Sequence, residues 1–288
     1  MKTFILMLLS IFSPENDTLR DRIAARIASV DGIMAVAFHD LMTGKQLLIN
    51  EREMFHAAST MKTPVMIELF RQADKGIVRL DDSLLVKNSF SSIVDGSPYS
   101  MDLGDDSDDS MYGMIGKRMT LRELVYQMIT VSSNLATNIL IEVADAKKVT
   151  RTMRAFGADS IEVLRGVEDL KAFEAGLNNR TNAYDLMLIF KALAEGSIAS
   201  AHGCEAMIDI LDDQKFRDLI PSQLPLDVRV VHKTGSISGV EHDSGIVFLP
   251  DGRRYVLVIL SKNLNDRDQG KKAIADISRM FYDHVTGH

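Results

Sequence analysis

The chain has 288 residues, 46% of them hydrophobic, which is enough to bury a sizeable core in one large domain or two closely packed lobes. Its formal charge of −7 lacks the basic footprint that nucleic acid or an anionic membrane surface rewards, so the expected partner is a small molecule. Cys204 stands alone, which excludes an internal disulfide and a cysteine-held metal and marks it as core filling.

The apolar run over residues 4–12 is long enough for the hydrophobic part of a signal peptide and too short for a membrane span, so residues 1–13 predict export to the periplasm or the exterior. From Asp17, the recurrence of Leu19, Ile23, Ile27 and Val30 predicts a helix that Gly32 ends. Residues 33–39 and 46–49, separated by Thr43-Gly44, predict a β-hairpin. The stretch from 59 to about 203 reads mostly helical, with elements at 59–73, 134–143 and 181–193. A further helix opens at Thr120-Leu121-Arg122-Glu123, where Thr120 and Glu123 have capping-box spacing. Residues 89–117 carry Asp102, Asp105, Asp106, Asp108 and Asp109 without the glycine and distal glutamate of a calcium loop, and predict a solvated loop.

Residues 228–232, 244–249 and 255–261 predict strands, the last two joined by a turn at Pro250-Asp251-Gly252, and 268–285 a closing helix. Two early strands and three late ones imply an α/β (α+β) chain whose two ends share one five-stranded antiparallel sheet, flanked by helices. The expected lobes are 14–58 with about 204–288, and a mainly helical 59–203, in one bilobed domain with the site in the cleft between them. No other stretch is long and apolar enough for stable membrane insertion, and a monomer is expected.

Ser59-Thr60-Met61-Lys62 puts a hydroxyl and an amine one turn apart on one helical face, where the amine can accept the serine proton. Taken alone, Ser59 reads as a helix N-cap rather than a nucleophile. Two further motifs change that: Ser132-Ser133-Asn134 in mid-chain and Lys233-Thr234-Gly235 at the end of a predicted strand. Together the three resemble the S-x-x-K, S-D-N and K-T-G set of class A β-lactamases and penicillin-binding proteins, with Ser133 in the place of the aspartate. The resemblance runs from about Asp17 to the C-terminus. It implies a β-lactamase/transpeptidase-like fold and hydrolysis of a β-lactam amide through an acyl-enzyme on Ser59, with no cofactor and no metal. The alternatives within that resemblance are a D-alanyl-D-alanine peptidase or esterase and a penicillin-binding sensor that stays acylated.

The resemblance also implies roles. Lys62 would take or relay the Ser59 proton, helped by a neighbouring cation that lowers its pKa. Ser132 would pass a proton to the leaving nitrogen, and Asn134 would hold the substrate's amide side chain. Lys233 and Thr234 would meet the substrate carboxylate at the Gly235 turn. The backbone N–H groups of Ser59 and Ser236 would form the oxyanion hole. Glu174-Ala175-Gly176-Leu177-Asn178 resembles the family's E-x-x-L-N, which would make Glu174 the base for the deacylating water and Asn178 its second holder. Ala172 stands where the family has a loop-clamping arginine, and a helix follows almost at once at Thr181-Asn182-Ala183. Arg229 is the candidate carboxylate-binding arginine, and His232 and His242 read as structural.

Overall fold

The computed structural model describes residues 14–288; the leader expected at 1–13 lies outside them. Helix α1 (Pro14–Ala28) leads into the hairpin of β1 (Ile33–Asp40) and β2 (Gln46–Ile49), and a two-residue strand β3 (Phe55–His56) precedes helix α2 (Lys62–Asp74). Short strands β4 (Ser83–Leu85), β5 (Phe90–Ser91), β6 (Pro98–Tyr99) and β7 (Arg118–Thr120) follow. The helices α3 (Leu121–Thr130), α4 (Asn134–Ala144), α5 (Ala146–Ala155) and α6 (Leu170–Glu174) come next, then β8 (Arg180–Thr181), α7 (Ala183–Ala194) and α8 (Ala201–Asp212). The chain closes with β9 (Arg229–Ile237), β10 (Val240–Phe248), β11 (Arg254–Lys262) and α9 (Arg267–Thr286).

The main sheet has the order β2-β1-β11-β10-β9, with every pair antiparallel, so the first and last parts of the chain interleave in one sheet. Its central strands are buried on both faces, and the two-residue period sorts their side chains into two cores. Tyr255, Leu257 and Ile259 face the core that includes Leu19 and Ile23 of α1 and Ile274, Ile277 and Phe281 of α9. Val256, Val258 and Leu260 face the larger core, shared with α2, α3, α4 and α7. On β1 the residues on this second face are Ala35 and Ala37, small enough for α7 to pack against the strand. Cys204, in α8, is buried in that core. Among the described residues no helix is long and apolar enough to cross a membrane.

Three expectations change in detail. Lys233-Thr234-Gly235 lies inside β9 rather than at its end, because the pairing with β10 continues to Ile237↔Val240. Thr181 belongs to β8, which pairs with β3, and α7 begins two residues later behind the Asn182 cap. Residues 89–117 are not simply a solvated loop: they hold the β5–β6 pair and two short 3₁₀ turns, and the half-buried Asp106 turns inward.

Candidate active site

Ser59 sits in a 3₁₀ turn, Ala58–Met61, that runs directly into α2. It is not an N-cap: the capping position is Ala57, and no side chain caps this turn. The turn is held from several sides. Thr60 Oγ1 donates to the Ala57 carbonyl at 2.5 Å, and the Ala58 N–H donates to His56 Nδ1 at 3.0 Å. Ala58 itself is left-handed, with φ 45°, a conformation that persists only where its surroundings over-determine it. Part of that support is His242. Its Nδ1 accepts from the Ser261 N–H at 3.1 Å, so the ring proton lies on Nε2 and is donated to the His56 carbonyl at 2.9 Å. Burial pushes His242 down to about 4, which keeps the ring neutral in this role. On the sheet side a Cβ at Gly235 would lie 3.1 Å from the Ser59 nitrogen and 3.0 Å from that of Thr60, so any side chain there would push β9 and this turn apart by a few tenths of an ångström.

The second motif comes from the junction of α3 and α4. Ser132 is left-handed at φ 58° and nearly buried, and Ser133 caps α4 by accepting from the Ala136 N–H at 3.2 Å. Asp106 reinforces the same helix end, accepting from the N–H groups of Asn134 (2.8 Å) and Leu135 (2.9 Å). Two fully buried lysines converge on Ser132 Oγ: Lys62 Nζ at 3.1 Å and Lys233 Nζ at 3.0 Å. Lys62 also donates to the Ser132 carbonyl (2.6 Å) and to Asn134 Oδ1 (2.8 Å), and Lys233 to the Thr234 carbonyl (2.8 Å).

Burial drives the Lys62 pKa down to about 7, against the opposing pull of Asp106 and then Glu168. Lys233 is also pushed well down, first by burial and then by the charge of Lys62, with Asp243 acting the other way. A neutral Lys62 has two N–H groups, which its two carbonyl-type acceptors consume, and one lone pair left to receive a proton. Ser132 is the hydroxyl through which the two amines communicate.

A carboxylate near this group is that of Glu168. It lines a cavity of about 320 Å³ together with Ser59, Asn134, His56, Arg165 and Asn179, and it is left-handed at φ 61°. Its loop is tied down from within. Buried Arg165 donates to the Gly166 carbonyl at 2.9 Å and to Asn178 Oδ1 at 3.1 Å. Asn179 Oδ1 accepts from the Leu164 and Arg165 N–H groups, and Asp169 accepts from Ser92 Oγ, the Ile93 N–H and the Ala172 N–H. Glu174, by contrast, is the exposed last residue of α6 and lines neither cavity that contains Ser59. Asn178 likewise lines neither, its side chain being engaged by Arg165.

On the other side of Ser59 a larger cavity, about 700 Å³, is lined by Ser132, Thr234, Ser236, Glu241 and Arg267. Arg229 is not there: at the far end of β9 it pairs with Asp212 (2.7 Å) and Asp209 (3.3 Å). The guanidinium in the cavity belongs to Arg267, the first residue of α9, whose Nη2 donates to Ser236 Oγ at 2.6 Å.

A family profile described as a β-lactamase enzyme family matches residues 18–285. The chain belongs to the β-lactamase enzyme family. Similar curated proteins include a β-lactamase of Bacteroides uniformis, 26% identical over 252 residues that cover 83% of this chain and 82% of that one. Another, from Streptomyces fradiae, is 24% identical and covers 92% and 85%. Among solved structures, a β-lactamase from Sphaerobacter thermophilus superposes with TM-score 0.79 at 28% identity, covering 94% of this chain and 97% of that one. PBP-A superposes with TM-score 0.80 at 26% identity and the same coverages.

Within this β-lactamase-family fold, the structure brings Ser59, Lys62, Ser132, Asn134, Lys233, Thr234, Gly235 and Ser236 together and leaves Glu174 and Asn178 outside. Upstream of Glu174, Arg165 precedes Glu168 by three residues, and the adjacent Asp169 anchors the loop. Sixteen residues, 168–183, run from Glu168 to the first residue of α7, and the Arg165 side chain ties this segment through Gly166 and Asn178.

Proposed function

We propose that this chain opens β-lactam rings and hydrolyses the resulting acyl-enzyme, with Ser59 as the acylated residue. The reading rests above all on the convergence of buried Lys62 and Lys233 on Ser132 Oγ, at 3.1 Å and 3.0 Å, in the cavity that contains Ser59. Neutral Lys62 takes the Ser59 proton as Oγ attacks the lactam carbonyl. The oxyanion meets the backbone N–H groups of Ser59 and Ser236, a role supported by the close approach of β9 to the Ser59 turn at Gly235. Ser132 hands a proton to the departing nitrogen, and the lysines replace it. Asn134 receives the acyl side chain, while Thr234, Lys233 and Arg267 receive the carboxylate.

Glu168 deprotonates the water that frees Ser59, with Asn179 fixing the loop beneath it. Export and action as a monomer belong to the same reading, as does the division into an α/β lobe and a helical lobe with the cleft between them.

The test is to mix the purified protein with a chromogenic cephalosporin and follow both colour and intact mass. Sustained turnover with a transient one-ligand adduct, absent in Ser59→Ala, is expected. A variant of PBP-A solved as an acyl-enzyme with penicillin G is similar at TM-score 0.80 and 26% identity, and it makes the penicillin-binding alternative concrete. A burst that stalls as a stable adduct in the wild type would favour that alternative.

A further inference from the structure

Ser236, Glu241 and Arg267 close a hydrogen-bonded ring on the wall of the larger cavity. Ser236 Oγ donates to Glu241 Oε1 at 3.0 Å and accepts from Arg267 Nη2 at 2.6 Å, while Arg267 Nε pairs with the same Glu241 oxygen. Glu241 lies directly across from Ser236 in the β9–β10 register, and Arg267 arrives from the start of α9. The two charged partners differ in setting: the Glu241 side chain is 2% exposed and that of Arg267 is 60% exposed.

That asymmetry decides which partner holds the other. An exposed arginine can leave an ion pair cheaply, because water solvates it. A carboxylate stripped of water cannot do without its cation. Glu241 therefore keeps Arg267 from swinging into solvent. A carboxylate only accepts hydrogen bonds, so the single Ser236 hydroxyl proton is committed to it. Side-chain donors on this wall that remain open to a ligand include the remaining N–H groups of Arg267 and the Thr234 hydroxyl.

We propose that Glu241 is a positioning residue that sets the preference for carboxylate-bearing substrates by holding Arg267 as a fixed donor opposite Ser59. A donor fixed in advance loses little freedom when the ligand arrives. The proposal rests on the substrate reading above, in which Arg267 meets the carboxylate.

The experiment compares a cephalosporin bearing its free carboxylate with the methyl ester of the same compound, in the full chain and in E241A, E241Q, R267A and the double variant R267A/E241Q. R267A should lower the acid-over-ester ratio of kcat/KM by about tenfold or more. E241A should lower it by a similar factor, through KM for the acid rather than through kcat. E241Q keeps an acceptor oxygen without the charge and should fall between wild type and E241A, which covers the case in which E241A fails to fold. The double variant should show the ratio of R267A alone, since Glu241 acts through Arg267.

A purely architectural role would depress acid and ester equally and leave the ratio where it was, and that result overturns the proposal. So does a gain in affinity for the acid in the Glu241 variants, which would make Glu241 a competitor of the substrate. If R267A keeps the wild-type ratio, the premise fails with the proposal, and the carboxylate is held by Thr234 and Lys233 alone.

Discussion

Acylation of Ser59 should follow the titration of Lys62. Only the neutral amine can accept the serine proton, and burial brings the pKa of this group to about 7 from an ordinary 10.5. Roughly a tenth of the molecules are then competent at pH 6, about half at pH 7 and about nine-tenths at pH 8. The single-turnover acylation rate should climb about tenfold from pH 6 to pH 8 and level off above that. Asp106 is the larger of the two charges that raise this pKa, so Asp106→Asn should move the midpoint below that of the wild type.

The sign carries over to stability. With the folded pKa below the unfolded one, the unfolded chain holds the extra proton between pH 7 and 10.5, so this group makes stability rise with pH across that window, by at most about 1.4 kcal/mol per pH unit. Below pH 7 the cost of burying the charge is borne in full. Rapid-quench mass spectrometry with a stoichiometric cephalosporin, and urea unfolding at the same pH values, measure the two limbs. A pH-independent acylation rate, or a midpoint near the ordinary lysine value, would refute the role of Lys62 as acceptor.

Glu168→Gln should let the acyl-enzyme accumulate and slow turnover by about 10²–10⁴, whereas Glu174→Gln should turn over at the wild-type rate; intact mass during turnover separates the two, and the reverse pattern would return the base to Glu174. Gly235→Ala places a Cβ against the Ser59 and Thr60 nitrogens, so acylation should fall by about tenfold or more; a rapid-quench rate equal to wild type would mean that the turn yields without effect. Asp169→Ala removes a nearly buried acceptor of three hydrogen bonds and should cost about 3 kcal/mol in urea unfolding while slowing deacylation more than acylation.

What the sequence disclosed was what short-range physics dictates. The capping box of Thr120 and Glu123 involves neighbours on one turn, and its reciprocal hydrogen bonds form as the spacing requires. Ser59 and Lys62 are one turn apart for the same reason, and the strands of the main sheet announce themselves through near-continuous burial. Glu168 was hidden because its signal is spread over contacts such as those of Arg165 with Asn178 and Asn179, side chains brought together only when the loop closes. Asp106 was one of five aspartates in a polar segment, and nothing local marks the one that faces α4. Arg267 reaches Ser236 from another element altogether, so no motif could have contained both.

The interleaving of the chain's two ends has a consequence for how activity first arises. β1 can find β11 only after nearly the whole chain has been made, and closing so long a loop is slow and unfavourable until the sheet repays it. Ser59, Lys62, Ser132 and Lys233 all lie inside the loop that this pairing closes, and of the four only Lys233 lies beyond α8. If the chain were divided in the loop between α8 and β9, each piece would be silent, and the return of turnover on mixing would time the moment at which the sheet is completed.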